Sequence, residues 1–311
     1  MKINKIRPLE SNFTEVLKKL VLNVEILYYY GKLPKKCPTV AIVGSRKNTS
    51  YGYEVAYNAA YEAAKAGAIV VSGLAYGIDS IAHRGALDAG GVTVAVLGTP
   101  IDQIYPREHT GLAREIVTKG GAVISEYGPS ERAESGKEIK ARFLQRNRLI
   151  SGLSDVVLIA EAADKSGSLN TATHALNQGK ELMVVPGDIN REGSRGCNRL
   201  LAQGAMPYVE TDDLLRILFP DRYKKIGKLK KGSRGKDNGA VIERELAKLA
   251  QTLETELERK IVALILTGVQ DGEGIIRRLE IDVSEFNQTI TILEIKGVVK
   301  SLGMNKWMVR G

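Results

Sequence analysis

Short apolar runs alternate with helical segments through the first two thirds of the chain. Six runs are continuous in hydrophobicity, as expected of strands that helices cover on both faces of a parallel sheet. They span residues 39–43, 68–71, 92–97, 122–124, 155–160 and 181–185. Between the first two runs, small apolar residues at 53–66 share one helical face, and Gly67 follows as the expected C-terminal cap. The pattern predicts an α/β fold with a doubly wound, extended Rossmann-like parallel sheet over residues 39–218.

The flanking segments predict three further parts of the chain. Residues 1–38 predict an extension that packs on the sheet, with a helix at 13–22 and a connecting loop around Tyr28–Gly31. A helix at 212–218, with Thr211 as its N-cap, closes the sheet domain. Residues 219–240 predict a basic flexible linker. Residues 241–311 predict three helices and a hairpin around Gly303, the pattern of a small C-terminal winged-helix domain.

The net charge of +9 is concentrated in one tract. Residues 222–236 hold eight of the 45 lysines and arginines and no acid, which leaves 37 basic and 36 acidic residues elsewhere. The tract is either a solvated linker or a flexible arm that attracts phosphates. The third C-terminal helix contains Glu285 and Glu294 with only Lys296 as a cation. That composition favours protein contact or autoinhibition over DNA contact for this helix.

Composition excludes several classes of protein. No apolar run approaches the roughly 20 residues that cross a bilayer, and the first residues lack the hydrophobic segment of a signal peptide. Cys37 and Cys197 lie far apart without neighbouring histidines, which argues against a disulfide framework and a zinc site. Gly44-Ser-Arg46 is not a G-x-G-x-x-G turn, and no P-loop occurs. We expect a cytoplasmic protein without a metal or cofactor.

Cations and an aromatic ring follow the predicted strands. Because ligands of an open parallel sheet bind at the carboxyl ends of its strands, the loops there are considered together. Arg46 follows the first strand, and residues 143–154 predict a helix start before the fifth strand. We expect Arg46 to converge with Arg146 and Arg148 on phosphates, helped by Lys140 and Arg142.

Other residues near these cations allow two interpretations each. Phe143 either plugs the core or supplies a ring on which a base stacks. Asn147 adds an amide between the two arginines. Ser166, Gly167 and Ser168 open a helix after the fifth strand, so their N–H groups either cap that helix or bind an anion.

Nucleophilic catalysis finds little support in the sequence. His83, His109 and His174 lie in different predicted helices and are interpreted as structural or surface residues. Glu126 and Glu161 follow strands and could form the acid/base pair of a glycosidic hydrolase. The preferred interpretation is that these carboxylates orient arginines or loop amides.

Several motifs resemble the bacterial DNA-processing protein A family, DprA/Smf. They include VGSR (43–46), SGLAYGIDSIAH (72–83), RNRLISGLS (146–154), EAADKSGSLNTA (161–172) and VPGD (185–188). The resemblance implies a non-enzymatic single-stranded DNA-binding protein that dimerises and helps load the RecA recombinase onto incoming DNA in natural transformation. It carries the DNA-binding role to Arg46, Lys140, Phe143, Arg146, Asn147, Arg148, Ser166, Gly167 and Ser168.

Two other functions remain open at this stage. The sheet type also hosts nucleotide phosphoribohydrolases of the lysine-decarboxylase-like fold, whose glycine-rich loop contains a catalytic glutamate. In this chain His174 stands at the corresponding position, so that chemistry lacks its expected base. A transcriptional regulator built on the C-terminal domain is the lesser alternative.

Overall fold

The chain divides into two compact units, residues 1–223 and residues 224–311. The computed structural model describes residues 1–19, 24–133, 135–222, 249, 252–266, 269, 271–303 and 305–309. The predicted linker at 219–240 is described only as far as Arg222, so nearly all of the basic tract lies outside the described residues. The beginning of the next predicted helix lies outside them as well.

One nine-stranded sheet forms the centre of the first unit. Across the sheet the order is β1-β2-β6-β5-β4-β3-β7-β8-β9, and every neighbouring pair from β6 to β9 is parallel. All six predicted strands are present, with ends that differ from the prediction by at most one residue. In chain order the strands are Asn4–Ile6 (β1), Leu27–Gly31 (β2), Thr39–Gly44 (β3), Ile69–Ser72 (β4), Thr93–Leu97 (β5), Ala122–Ser125 (β6), Val156–Glu161 (β7), Glu181–Val184 (β8) and Met206–Pro207 (β9).

Helices cover both faces of this sheet. Val40 and Ile42 pack in the cluster with α1, α2 and α7, whereas Ala41 and Val43 pack in the cluster with α4, α5 and α6. Successive strand residues point to opposite faces, and all four are buried. Continuous apolar strands are therefore the consequence of two-sided cover. The helices are Ser50–Lys65 (α1), Ile78–Asp88 (α2), Thr110–Thr118 (α3), Gly136–Gly152 (α4), Ser168–Asn177 (α5), Glu192–Ala202 (α6) and Thr211–Leu218 (α7).

The N-terminal extension differs from its prediction because it extends the sheet itself. The predicted loop at Tyr28–Gly31 belongs to β2, which pairs antiparallel with β6 and places Tyr29 opposite Ile124. β1 then pairs antiparallel with β2. Three consecutive tyrosines favour a strand, and a neighbouring edge was available to them. The predicted helix at 13–22 is a short 3-10 helix, Glu15–Lys19, within the described residues.

Helix ends agree with the sequence in one case and differ in another. Gly67 follows α1 with φ +98°, the left-handed conformation that a glycine cap adopts most easily. Thr211 is not the N-cap of α7: that position belongs to Glu210, which forms a capping box with Asp213. The prediction was wrong by one residue, because two acids can cap as well as a threonine.

The described part of the second unit contains three helices and a hairpin in the expected order. Phe286, Leu293 and Trp307 contribute to its core. Lys296 donates to Glu258 at 2.9 Å, so the cation of the third helix is already paired within this unit. The winged-helix assignment stays a prediction. The elements are Glu256–Leu266 (α8), Gly272–Leu279 (α9), Val283–Ile295 (α10), Val299–Gly303 (β10) and Lys306–Val309 (β11).

A buried histidine makes the stability of the sheet unit depend on pH. His83 Nδ1 lies 2.7 Å from Thr93 Oγ1, which donates its own proton to the Val70 carbonyl, so Nδ1 is the protonated nitrogen. Nε2 has no partner among the described residues. Burial lowers the pKa of His83 to about 3. In the unfolded chain the imidazole takes up a proton near pH 6.5. The free energy of unfolding is therefore unaffected by protonation of His83 above that pH and falls as the pH drops toward 3.

We expect acidification to about pH 5 to cost the wild type about 2 kcal/mol more than it costs His83→Asn. Asparagine retains a donor for Thr93 but cannot ionise. Urea denaturation at neutral and acidic pH measures the difference. Equal pH dependence in the two proteins would contradict the assignment of this effect to His83.

Candidate nucleic-acid interface

The candidate site lies where the strand order reverses. The chain builds the sheet from β3 through β4 and β5 to β6, and then crosses back to place β7 on the other side of β3. A crevice opens at such a switch point, outside the carboxyl ends of the two central strands. A cavity of about 510 Å³ occupies it, lined by the loop after β3, one face of α4 and the start of α5.

Helix α4 supplies one wall of the cavity. It begins at Gly136, and the Ser135 side chain accepts a hydrogen bond from the Glu138 N–H at 3.2 Å. The predicted helix start at 143 is therefore wrong, because residues 143–152 form the second half of this helix. Its cavity-lining residues recur at helical spacing, so side chains rather than free N–H groups face the site. They are Phe143, Leu144, Arg146, Asn147 and Ile150.

Arg148 does not join this group, contrary to the sequence-based expectation. It lies two residues after Arg146 and hence about 200° around the helix, and it does not line the cavity. Its side chain is 2% exposed and pairs with Glu126. Nε and one terminal nitrogen of Arg148 have no partner among the described residues. Arg148 is therefore a buried structural cation.

Lys140 lies outside the cavity as well. It is exposed on α4, one turn before Phe143 and Leu144, and is absent from the cavity lining. Arg142 packs over the Tyr127 ring at 4.3 Å and donates two hydrogen bonds to Glu138. Of the five cations expected to converge, the described cavity walls include Arg46 and Arg146.

Phe143 is the aromatic centre of the site. The guanidinium carbons of Arg46 and Arg146 each lie 5.7 Å from its ring centroid, within cation–π range. The Tyr105 ring lies 5.5 Å away at 57°. A Cβ on Gly98 would come within 2.7 Å of the Phe143 ring, so the glycine after β5 lets the ring approach the sheet. Phe143 is half-buried and therefore both packs and remains partly accessible.

Arg146 is built into the base of the cavity. It is 4% exposed and donates to the Gly73 carbonyl at 2.8 Å and to the Val96 carbonyl. Burial lowers its pKa to about 10, and nearby Asp79 opposes that shift. Asp79 is itself buried and accepts a hydrogen bond from the Gly73 N–H at 3.0 Å. Burial raises the pKa of Asp79, against the attraction of Arg146.

The loop before α5 forms the opposite wall. The helix predicted to open at Ser166–Ser168 is α5, which begins at Ser168 with Gly167 as its N-cap, and the Ser166 and Ser168 hydroxyls lie 2.7 Å apart. Asn147 donates to the Gly167 carbonyl at 3.3 Å, which ties α4 to this loop. A helix start of this kind favours anions through its N–H groups and its dipole.

Sequence reasoning missed three charged residues of the cavity. Lys47 and Lys165 are exposed cations that line it. Both directly adjoin the predicted Arg46 and Ser166, so adjacency was a usable signal. Asp79 had a weaker signal, as an acid among the small and apolar residues after β4.

The two strand-end glutamates serve different partners. Glu126 pairs with Arg148, and Glu161 accepts from the Thr49 N–H at 3.0 Å and the Thr49 hydroxyl at 2.8 Å. Glu126 thus orients an arginine and Glu161 a loop amide, which agrees with the interpretation preferred from the sequence. None of the three histidines lines the described cavity.

Comparison with known proteins now identifies the family. The sequence model of the family described as DNA recombination-mediator protein A matches residues 4–219. The chain belongs to this family. Protein Smf of Escherichia coli is 42% identical over 179 residues, which cover 58% of this chain and 46% of that protein. The DNA processing protein DprA of Streptococcus pneumoniae is 38% identical over 191 residues, or 61% of this chain and 65% of that protein. The chain thus matches about half to two thirds of the length of these curated relatives.

Solved structures agree with the family assignment. The X-ray structure of DprA from Streptococcus pneumoniae matches with a TM-score of 0.62 at 35% identity, covering 69% of this chain and 74% of that one. DprA from Helicobacter pylori, described for its single-stranded DNA binding mode, matches with a TM-score of 0.61 at 32% identity, covering 71% and 97%.

Within the described residues, the helices are too short or too polar to span a bilayer. The described residues also include no group of three or more His, Cys, Asp or Glu side chains that could hold a metal ion.

Proposed function

We propose that this protein binds single-stranded DNA in the switch-point cavity and breaks no bond in it. The observation that carries the proposal is the meeting of cations from separate loops, Arg46, Lys47 and Lys165, around the half-buried Phe143. Single-strand grooves combine cations that follow the phosphates with rings on which bases stack. The Helicobacter pylori relative, which is described as binding single-stranded DNA, supports the same role.

The proposed contacts follow from position. Arg46, Lys47 and Lys165 contact phosphates from the rim, and the loop Ser166-Gly167-Ser168 contacts them through the start of α5. Phe143 stacks on a base, while Arg146 and Asn147 hold Phe143 and the loop in place. Lys140, exposed on α4, contacts the strand beyond the cavity. Arg148 makes no DNA contact in this proposal, because it is buried against Glu126.

We further propose that the protein acts as a homodimer in the cytoplasm and delivers the bound strand to a RecA-type recombinase during natural transformation. The family's description as a recombination mediator supports this role. Light scattering tests the dimer, and a strand-exchange assay with and without the protein tests the delivery step. A monomer that leaves strand exchange unchanged would contradict this part of the proposal.

The phosphoribohydrolase alternative is not favoured. Of the described residues that line the cavity, Asp79 is the only acid, and it is buried next to Arg146. His174, at the position where that enzyme class has its glutamate, does not line the cavity. Burial lowers the pKa of His174, which keeps the ring neutral. The cavity therefore offers no exposed carboxylate to act as a general base or nucleophile.

Arg46→Ala should weaken binding of a labelled single-stranded oligonucleotide about tenfold at low salt. It should also reduce the slope of log affinity against log salt by roughly 0.7, the contribution of one phosphate contact. Arg46 is exposed, so the fold should be unaffected. Fluorescence anisotropy over a salt series measures both quantities.

Arg114→Ala is the matched control for this experiment. Arg114 is an exposed arginine on α3 and does not line the cavity. The Arg114→Ala substitution removes the same net charge as Arg46→Ala and should leave the slope of log affinity against log salt unchanged. If both variants lost affinity equally, general charge rather than this cavity would explain the binding.

A further inference from the structure

A second cavity lies at the same end of the sheet. Its volume is about 210 Å³, and its walls come from the start of α1, the end of β7 and the segment from β8 to α6. It shares no lining residue with the first cavity. The paired ends of β3 and β7 separate the two cavities, and there the Ser45 N–H donates to the Glu161 carbonyl at 2.8 Å.

Glu161 presents an unsatisfied acceptor in this second cavity. Its side chain is part of the lining and the residue is 5% exposed. Oε2 accepts both hydrogen bonds from Thr49, but no group among the described residues donates to Oε1. A carboxylate oxygen that opens into a cavity gains from an added donor, because hydrogen bonds to charged groups are stronger than those between neutral groups.

Glycine keeps space open in front of that oxygen. A Cβ on Gly193 would lie 2.8 Å from Glu161 Oε1. Gly193 is in the first turn of α6, where alanine is a better helix former. The absence of a side chain at this position therefore leaves Oε1 accessible from the cavity.

The remaining walls indicate the shape of the occupant. Ala160, Val185 and Pro186 are apolar, and the Tyr51 hydroxyl is already used by the Pro186 carbonyl at 2.9 Å. Such walls accept a flat apolar ring. The free carboxylate oxygen requires that this ring carry an N–H donor on its edge. Arg191 and Glu192 line this cavity as well; the Arg191 side chain is 60% exposed, and its Nε lies 4.0 Å from Asp188 Oδ2.

We propose that the second cavity binds a nucleobase that carries an exocyclic amino group, which donates to Glu161 Oε1. Cytosine, adenine and guanine carry such a group. Thymine lacks this group. Its one ring N–H donor lies between two carbonyl oxygens, and a carboxylate that approached the N–H would be repelled by both of them. The inference rests on the proposed function, since the base belongs to the strand that the first cavity holds.

Oligo-dT and oligo-dC of equal length provide the test, because both are single-ring pyrimidines and only cytosine carries the exocyclic amino group. Wild-type protein should bind oligo-dC roughly 10- to 100-fold more tightly, the range for a hydrogen bond to a charged group. Gly193→Ala should abolish the preference by filling the space in front of Oε1, so that oligo-dC binds no more tightly than oligo-dT. Anisotropy titrations measure all four affinities.

Gly111→Ala is the control substitution. Gly111 also lies in a helix, and a Cβ there meets no atom within 4 Å, so the preference for oligo-dC should persist. Equal binding of the two oligonucleotides by wild type would overturn this inference and leave the proposed function standing. A preference that survives Gly193→Ala would also overturn it. If neither oligonucleotide bound, the proposed function and this inference would both fail.

Discussion

Arg146→Ala should lower the free energy of unfolding of the sheet unit by about 3–5 kcal/mol, because it leaves two carbonyls without a donor and a nearby buried carboxyl without a cation. The guanidinium is almost fully buried, and it donates to the Gly73 and Val96 carbonyls at the ends of two central strands. Its removal takes this donor from both carbonyls and leaves the Asp79 carboxyl buried without its cation. Urea denaturation near neutral pH measures the loss.

A second substitution separates the charge effect from the lost packing. Asp79→Asn in the Arg146→Ala background should recover about 1–2 kcal/mol, because an amide needs no counter-charge. Arg46→Ala removes an exposed cation from the same cavity and should leave stability within about 0.5 kcal/mol of wild type. An Arg146→Ala protein with the wild-type urea midpoint would show that this arginine does not hold the strand ends together.

Glu126→Ala should destabilise the same unit by about 3–5 kcal/mol through a different buried cation. Arg148 is 2% exposed and forms its ion pair with Glu126. Because two of its nitrogens already have no partner among the described residues, loss of the carboxylate leaves the whole guanidinium poorly compensated. Thermal and urea denaturation should agree on the loss.

The double variant Glu126→Leu, Arg148→Met tests the structural role of the pair. Two apolar side chains of similar volume should recover most of the stability that Glu126→Ala loses. The double variant should also keep the wild-type salt dependence of oligonucleotide binding. A slope reduced by roughly 0.7 would mean that Arg148 contacts a phosphate after all, and would return it to the DNA-binding set.

Local patterns were sufficient for much of the fold. The six central strands and the glycine after α1 could be predicted, because strand hydrophobicity and the glycine cap depend on near neighbours. The pairing of β2 with β6 could not. It joins residues about a hundred positions apart, and no local signal in the tyrosine run says that the sheet has a free edge there.

The residues of the candidate site also fall into those that the sequence identified and those that it placed wrongly. Residue type and strand-end position identified Arg46, Phe143, Arg146, Asn147 and the Ser166–Ser168 loop, and the structure brings these together around one cavity. The same reasoning grouped Arg148 with them. An error of seven residues in the start of α4 hid the fact that Arg146 and Arg148 lie on different faces of one helix.

By itself, the sequence determined that this chain forms a doubly wound parallel sheet with cations and an aromatic ring at its strand ends, and that it resembles a DNA-processing family. Composition and short-range periodicity carry that information, because they reflect which residues each element must bury. Only the tertiary structure decided that Arg148 is paired with Glu126, that Asp79 lies beside Arg146, and that Glu161 keeps one oxygen free. These outcomes depend on contacts between distant segments, and charge pairing and burial are properties of such contacts rather than of any one stretch of chain.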